Sequence, residues 1–269
     1  MNFKRIISGL IGFPIAAVVF LFANVYVMDF VIAIIAGISL HEYVKCFKIS
    51  KKAKPIAWVC YACCLLLPLL HVIPNGYLAY TIGLLIPLII FILFLNIILS
   101  NMKYTVKDAA VTLFGILYVI GFYSFVSKIF GMNNGKVYIW YVAFSAWGTD
   151  IFAYMIGRRF GKHKFSQISP NKSIEGCIAG VVGAVLLTLI YTVVLNNGFN
   201  YTINYIIIAV IAVILSIVGQ VGDFSASSIK RYTGVKDFGN LIPGHGGILD
   251  RFDSFMFVAP FAFFLLMLI

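Results

Sequence analysis

Tyr77-Leu-Ala-Tyr-Thr-Ile-Gly-Leu-Leu-Ile-Pro-Leu-Ile-Ile-Phe-Ile-Leu-Phe-Leu-Asn-Ile-Ile-Leu-Ser100 runs for 24 residues without a charged side chain. A bilayer-spanning helix takes about 20 predominantly apolar residues, so this stretch is long enough to cross. It is not an isolated feature. Apolar runs at roughly 6–25, 27–47, 55–74, 77–100, 108–127, 137–157, 175–195, 201–228 and 250–269 predict about nine transmembrane helices. The whole composition agrees. Of 269 residues, 62% are apolar and 11% charged, where a soluble domain carries about 25% charged residues. Mean hydropathy is +1.03. Such a chain has too little polar surface for a water-soluble globule, which excludes a soluble domain, a disordered chain and a disulfide scaffold. The expected fold is all-α and polytopic.

The net charge of +11 would hint at nucleic acid in a soluble protein. In a membrane protein it points to anionic lipid head groups and to topology. With the N-terminus in the cytoplasm, 18 of the 20 basic residues fall on the cytoplasmic side, and Lys128 and Lys136 remain outside. The N-terminal run after Lys4-Arg5 lacks a small-x-small cleavage site and reads as a retained span. Spans one to five, within 1–130, form an expected scaffold. Spans six to nine, within 131–269, form an expected catalytic region with cytoplasmic loops at 157–175 and 229–250.

Carboxylates are rarer than cations, and a buried one in a membrane costs ~2.5–3.5 kcal/mol on insertion scales. The nine are Asp29, Glu42, Asp108, Asp150, Glu175, Asp223, Asp237, Asp250 and Asp253. Most lie between 150 and 253, so the chemistry is expected in the C-terminal half. Asp150, Asp223 and Asp250 fall near the cytoplasmic ends of their spans, at similar depth. Helical spacing puts Asp223, Ser227 and Lys230/Arg231 on one face, Trp147, Asp150 and Tyr154 on another, and pairs Asp250 with Asp253. Carboxylates with basic residues one and two turns away suit Mg²⁺ and a phosphate, because Mg²⁺ takes one or two carboxylates plus phosphate oxygens and water. The alternative is a set of interfacial ion pairs anchoring helix ends. The basic loop Gly157-Arg-Arg-Phe-Gly-Lys-His-Lys-Phe-Ser-Gln-Ile-Ser-Pro-Asn-Lys-Ser-Ile-Glu-Gly176 leads into span seven, whose N-terminal N–H groups favour an anion. It contains no P-loop.

The stretch Ser227-Ser-Ile-Lys-Arg-Tyr-Thr-Gly-Val-Lys-Asp-Phe-Gly-Asn-Leu-Ile-Pro-Gly-His-Gly-Gly-Ile-Leu-Asp-Arg-Phe-Asp253 resembles the signature of the phosphatidate cytidylyltransferase family, also called CDP-diacylglycerol synthases. That signature is Ser-x-apolar-Lys-Arg, four residues, Lys-Asp-x-small, two residues, apolar-Pro-x-His-Gly-Gly-apolar-x-Asp-Arg-apolar-Asp, and every defined position matches. Gly222-Asp223 fits the family's upstream Gly-Asp. The loop at 169–176 resembles its Ser-Pro-Lys-Lys-Thr-x-Glu-Gly element, with Asn171 for the first Lys and Ser173 for Thr.

The resemblance implies a reaction: CTP and phosphatidic acid give CDP-diacylglycerol and pyrophosphate. It also implies Mg²⁺ in a di-metal centre held by Asp223 and Asp250, and a homodimer; the charge topology puts the expected site on the cytoplasmic side of the cytoplasmic membrane. In this reading Lys230, Arg231, Lys236 and Arg251 clamp phosphates, and Lys172 with Ser173 holds a further one. Ser227 sits beside them. Gly246 and Gly247 let the backbone approach an anion. His245 contacts phosphate. Asp150 is either a further metal or water ligand or orients a lysine. Asp237 and Asp253 either orient Lys236 and Arg251 or touch metal. His41-Glu42 and His71 read as interfacial residues. Cys60-x-x-Cys63 and Cys177 read as small buried hydrophobes. No nucleic-acid partner is expected. The competing readings are a related membrane CTP-dependent lipid transferase or kinase, and an ion-coupled transporter, which would place its site at the midplane between inverted repeats.

Overall fold

A computed structural model describes the backbone of all residues except 1, 2, 70, 74, 167, 171 and 242–245, and side chains except, in addition, those of 3–11, 75, 76, 78, 79 and 82. The described residues are helical, with turns and one isolated bridge. The helices are α1 (Phe3–Phe22), α2 (Val25–Ser50), α3 (Ala57–Cys64), α4 (Asn75–Leu99), α5 (Val106–Phe130), α6 (135–160), α7 (Ile174–Gly198), α8 (Tyr205–Thr233) and α9 (Leu249–Leu266). α5 and α6 each pass through a π-helical turn, at Ile116–Gly121 and Phe144–Gly148. Among the described residues, α2, α5, α7 and α8 are long and apolar enough to cross a membrane, and shorter apolar helices accompany them. This is the architecture of an integral membrane protein.

Local chemistry sets the helix ends. Asn24 caps α2 by accepting from Val27 N at 2.8 Å. Thr105 and Asp108 form a reciprocal capping box at the start of α5. Asn196 closes the α7–α8 turn by donating to the Ile203 carbonyl and accepting from Ile203 N, at 2.9 and 3.0 Å. The third span departs from expectation. Instead of one helix over 55–74, α3 ends at Cys64 and a 3₁₀ turn covers Leu67–Leu69. Pro68 explains the break, because it lacks an N–H and disfavours helical geometry at the residue before it. Five helices run past the expected ends, α2 to Ser50, α5 to Phe130, α6 to Phe160, α7 to Gly198 and α8 to Thr233, and the last extension puts Lys230 and Arg231 on α8 with Ser227.

The chain forms two compact units. The first comprises Met1–Gly131 with Tyr232–Asp250. Its interior is built on Met28, Leu40, Tyr43, Ile56 and Tyr123. Asp29 is buried there, accepting from Ser127 Oγ and bonded to His71 Nδ1 at 2.8 Å. His71 thus has a buried carboxylate partner, which its reading as an interfacial residue did not include. Cys60 and Cys63 are free thiols of α3.

The second unit comprises Met132–Arg231 with Arg251–Ile269. Here α6 and α7 pack closely through glycine. A β-carbon on Gly176 would lie 2.8 Å from the Ala153 carbonyl oxygen, one on Gly180 2.9 Å from that of Thr149, and one on Gly183 2.1 Å from the Phe152 ring. Between apolar helices in lipid, such small-residue stripes allow close dispersion contact where no hydrophobic effect drives association. Large apolar side chains on the outside of α7, among them Ile178, Leu186 and Ile190, are exposed, as lipid contact requires.

Candidate active site

In the second unit, the loop before α7 is folded by its own residues. Glu175 accepts from His163 N at 3.2 Å and bonds His163 Nδ1 at 2.6 Å. Phe165 N donates to the Lys172 carbonyl at 3.1 Å, and Ile174 N donates to that of His163 at 3.0 Å. Ser173 is buried as the N-cap of α7, accepting from Gly176 N at 3.1 Å. The loop thereby presents Lys172 to α8, where its ammonium pairs with Asp223. The same ammonium lies 4.8 Å from the centre of the Phe224 ring, a cation–π contact, and Phe224 stacks on Phe165.

Further carboxylates converge on this pair. Asp150, two residues after the π-helical segment of α6, accepts from Ser254 Oγ of α9 at 3.0 Å. Asp253, also on α9, is buried, accepts from Ser254 N at 2.8 Å, and lies within electrostatic reach of Asp150, Asp223 and Lys230. Arg251 is within reach of Asp150. Burial alone would pull the Lys172 ammonium below the ordinary lysine range. The Asp223 and Asp150 carboxylates outweigh burial and hold it above that range, so the ammonium stays charged at neutral pH. Arg231 donates from Nε to the Ile168 carbonyl at 3.3 Å, tying α8 to the same loop. Ser227, one turn beyond Asp223, is half-buried. A cavity of about 500 Å³ opens next to Lys172, lined by Phe165, Ile168, Ile178, Ile217, Val221 and Phe224.

In the first unit, Asp250 opens α9 and accepts on one oxygen from Phe238 N at 2.8 Å and Gly247 N at 3.0 Å. Gly246 has φ +87°, and a β-carbon there would also stand 3.0 Å from Asp250 Oδ2, so this position excludes other residues. Lys236 and Asp237 are exposed in the turn before it. His245 and Asn171 lie outside the described residues. Glu42, read from sequence as interfacial, is buried and accepts from Ile248 N at 3.1 Å and Leu249 N at 2.9 Å. The signal for it was an ionisable residue within an apolar span.

The donors can be tested against a metal. No three His, Cys, Asp or Glu side chains among the described residues stand close enough to hold an ion by themselves. A structural Zn²⁺ site is therefore a poor fit among these residues. Carboxylates in ones and twos beside lysine and arginine fit Mg²⁺, which keeps water and phosphate oxygens in its shell.

A multi-helical membrane protein whose second unit gathers Asp150, Asp223 and Asp253 about Lys172 is thus defined. The chain belongs to the cytidylyltransferase family, whose model matches residues 3–269. Among curated proteins it is 41% identical to the phosphatidate cytidylyltransferase of Staphylococcus haemolyticus and 42% identical to that of Staphylococcus aureus, over 172 residues in each case. That of Staphylococcus saprophyticus is 42% identical over 173 residues. Each alignment spans 63% of this chain and 64% of the relative.

Proposed function

We propose that the protein transfers the cytidylyl group of CTP to phosphatidic acid, releasing pyrophosphate and forming CDP-diacylglycerol. The observation that carries this is the convergence of Lys172, Asp223, Asp150 and Asp253 beside an apolar cavity, in a chain whose 227–253 stretch matches the family signature. The attacking phosphate of the lipid is already ionised, so no protein nucleophile is required. A lipid phosphate oxygen bonds to the α-phosphorus of CTP as the bond to the β-phosphate oxygen breaks, and pyrophosphate leaves with that electron pair. The obstacle is anion–anion repulsion, which fixed positive charge relieves.

Lys172, Lys230, Arg231, Lys236 and Arg251 supply that charge, Arg side chains as two-pronged donors. Ser227, Ser173, Gly246 and Gly247 add neutral donors or close backbone approach, and His245 contacts phosphate. Asp223 and Asp250 would hold Mg²⁺, which would supply positive charge to screen the phosphates and the leaving pyrophosphate. Asp150 and Asp253 orient Lys172 and Lys230, and Asp237 orients Lys236. The Phe165–Phe224 cavity suits an acyl chain next to the Lys172 charge. Helices α1–α5 serve as scaffold, and two copies form a homodimer.

The test is purified protein with labelled CTP, Mg²⁺ and phosphatidic acid. Labelled lipid and pyrophosphate in equal amounts are expected. Absence of labelled lipid, with folded protein, overturns the proposal.

The proposed topology has nine crossings with the N-terminus and the loops at 157–175 and 229–250 in the cytoplasm. In a background lacking reactive native thiols, Lys136→Cys is expected to react with an impermeant maleimide in intact cells, and Lys164→Cys only after permeabilisation. The reverse pattern would invert the topology.

A further inference from the structure

The proposed mechanism leaves Glu42 without a role. Glu42 follows the apolar run 30–40 of α2 and is 5% exposed. Each oxygen takes one backbone N–H from the start of α9: Ile248 N reaches Oε1 at 3.1 Å and Leu249 N reaches Oε2 at 2.9 Å. The first N–H groups of a helix have no partner within it, and a negative charge there also meets the positive end of the helix dipole. Glu42 thus caps α9 from a distance of 206 and 207 residues in sequence. Asp250, in the first turn of the same helix, grips the other side of the segment through Phe238 N and Gly247 N. Phe238 and Gly247 on one side, and Ile248 and Leu249 on the other, are held by these two carboxylates.

Two glycines record the contact. A β-carbon on Gly239 would lie 2.3 Å from Glu42 Oε1, and one on Gly247 would lie 2.3 Å from Oε2. At both positions the three nearest atoms all belong to Glu42. Neither glycine has a positive φ, so backbone conformation does not demand glycine at either place. The Glu42 carboxyl does.

We propose that Glu42 is a positioning residue: it fixes the backbone at Ile248 and Leu249, and through it the orientation of Asp250 and of Gly247. The inference rests on the reading of Asp250 as a metal ligand in cytidylyl transfer. Glu42→Gln keeps the size but turns an amide NH₂ toward one of the two backbone donors, so one hydrogen bond is lost and two donors face each other.

The experiment has two arms. Amide hydrogen exchange on metal-free protein in detergent is expected to rise at least about tenfold at whichever of Ile248 and Leu249 faces the amide NH₂ in Glu42→Gln, as loss of a direct acceptor requires. In the activity arm, kcat/KM is expected to fall about 10–100-fold, the range for residues that orient metal ligands. The Mg²⁺ concentration for half-maximal rate should rise, while KM for phosphatidic acid stays near wild type. A Glu42 that merely supports the fold would lower the yield or melting temperature and leave the Mg²⁺ dependence per folded molecule unchanged. That result overturns the proposal, as does wild-type exchange at Ile248 and Leu249.

A thermodynamic cycle adds a second reading. Gly247→Ala is expected to lower thermal stability in wild type and to have much less effect in a Glu42→Ala background, where the clashing carboxyl is gone. Equal penalties in both backgrounds overturn the proposed contact. Should Glu42→Gln not accumulate, Gly239→Ala keeps the carboxylate and displaces it. Raised exchange at Ile248 and Leu249 then supports the proposal, and wild-type exchange rejects it. If wild-type protein makes no CDP-diacylglycerol, the functional reading fails while the exchange and stability arms still test Glu42.

Discussion

Asp223→Asn is expected to lower kcat for cytidylyl transfer about a thousand-fold or more, roughly 4 kcal/mol of lost transition-state stabilisation. The isosteric amide keeps the shape of the side chain and removes its charge. Two functions go with that charge: the proposed grip on Mg²⁺, and the ion pair with Lys172. Asp250→Asn is expected to be equally severe through the metal, and because Phe238 N and Gly247 N both reach one oxygen, the amide carbonyl can keep those two hydrogen bonds while the charge is lost. Chromatographic behaviour and melting temperature in detergent separate lost chemistry from lost fold. A folded Asp223→Asn protein with near-normal turnover would remove that residue from the site. Lys172→Met deletes the ion pair and the proposed phosphate contact of Lys172 but leaves the proposed metal ligand, so a fall smaller than that of Asp223→Asn is expected. Equal loss in both would mean that Asp223 acts through Lys172 and not through a metal.

The second large effect is on stability. Gly183→Ala places a methyl group within the Phe152 ring, 2.1 Å from its nearest atom. Overpacking of this kind costs about 1–3 kcal/mol, and Gly183→Leu is expected to leave little folded protein. Gly180→Ala meets a backbone carbonyl at 2.9 Å, which cannot rotate away, so a fall in melting temperature is expected there too. Ile190→Leu, on an exposed part of the same helix, should stay within about 0.5 kcal/mol of wild type. A Gly183→Ala protein that melts like wild type would show that α6 and α7 are not packed through this stripe.

Apolar runs were sufficient to find the helices, because a bilayer demands an uninterrupted length that few other structures need. They failed at α3, where Pro68 ends regular helix inside a run that stays apolar throughout. The carboxylate and cation positions along 150–253 also marked where charge would gather. Helical spacing could place Asp223 with Ser227 and Lys230 on α8. It could not reveal that Lys172 pairs with Asp223, because that contact depends on how Glu175 and His163 fold the intervening loop. Spacing also grouped Asp250 with Asp253. In the structure Asp250 accepts from the backbone of the turn before it, while Asp253 faces Asp150, Asp223 and Lys230. Glu42 was the largest omission. Its partners are more than 200 residues away, and no local pattern encodes them.

That separation has a consequence for biogenesis. Chains are made N-terminus first, at roughly 5–20 residues per second. α2 enters the membrane with Glu42 already in it, and Ile248 and Leu249 leave the ribosome some 206 residues later, about 10–40 s at that rate. Throughout that interval the carboxylate has neither of the backbone donors it holds in the finished protein. Insertion of α2 therefore draws on its apolar residues alone, and the first unit closes only when Tyr232–Asp250 has been made.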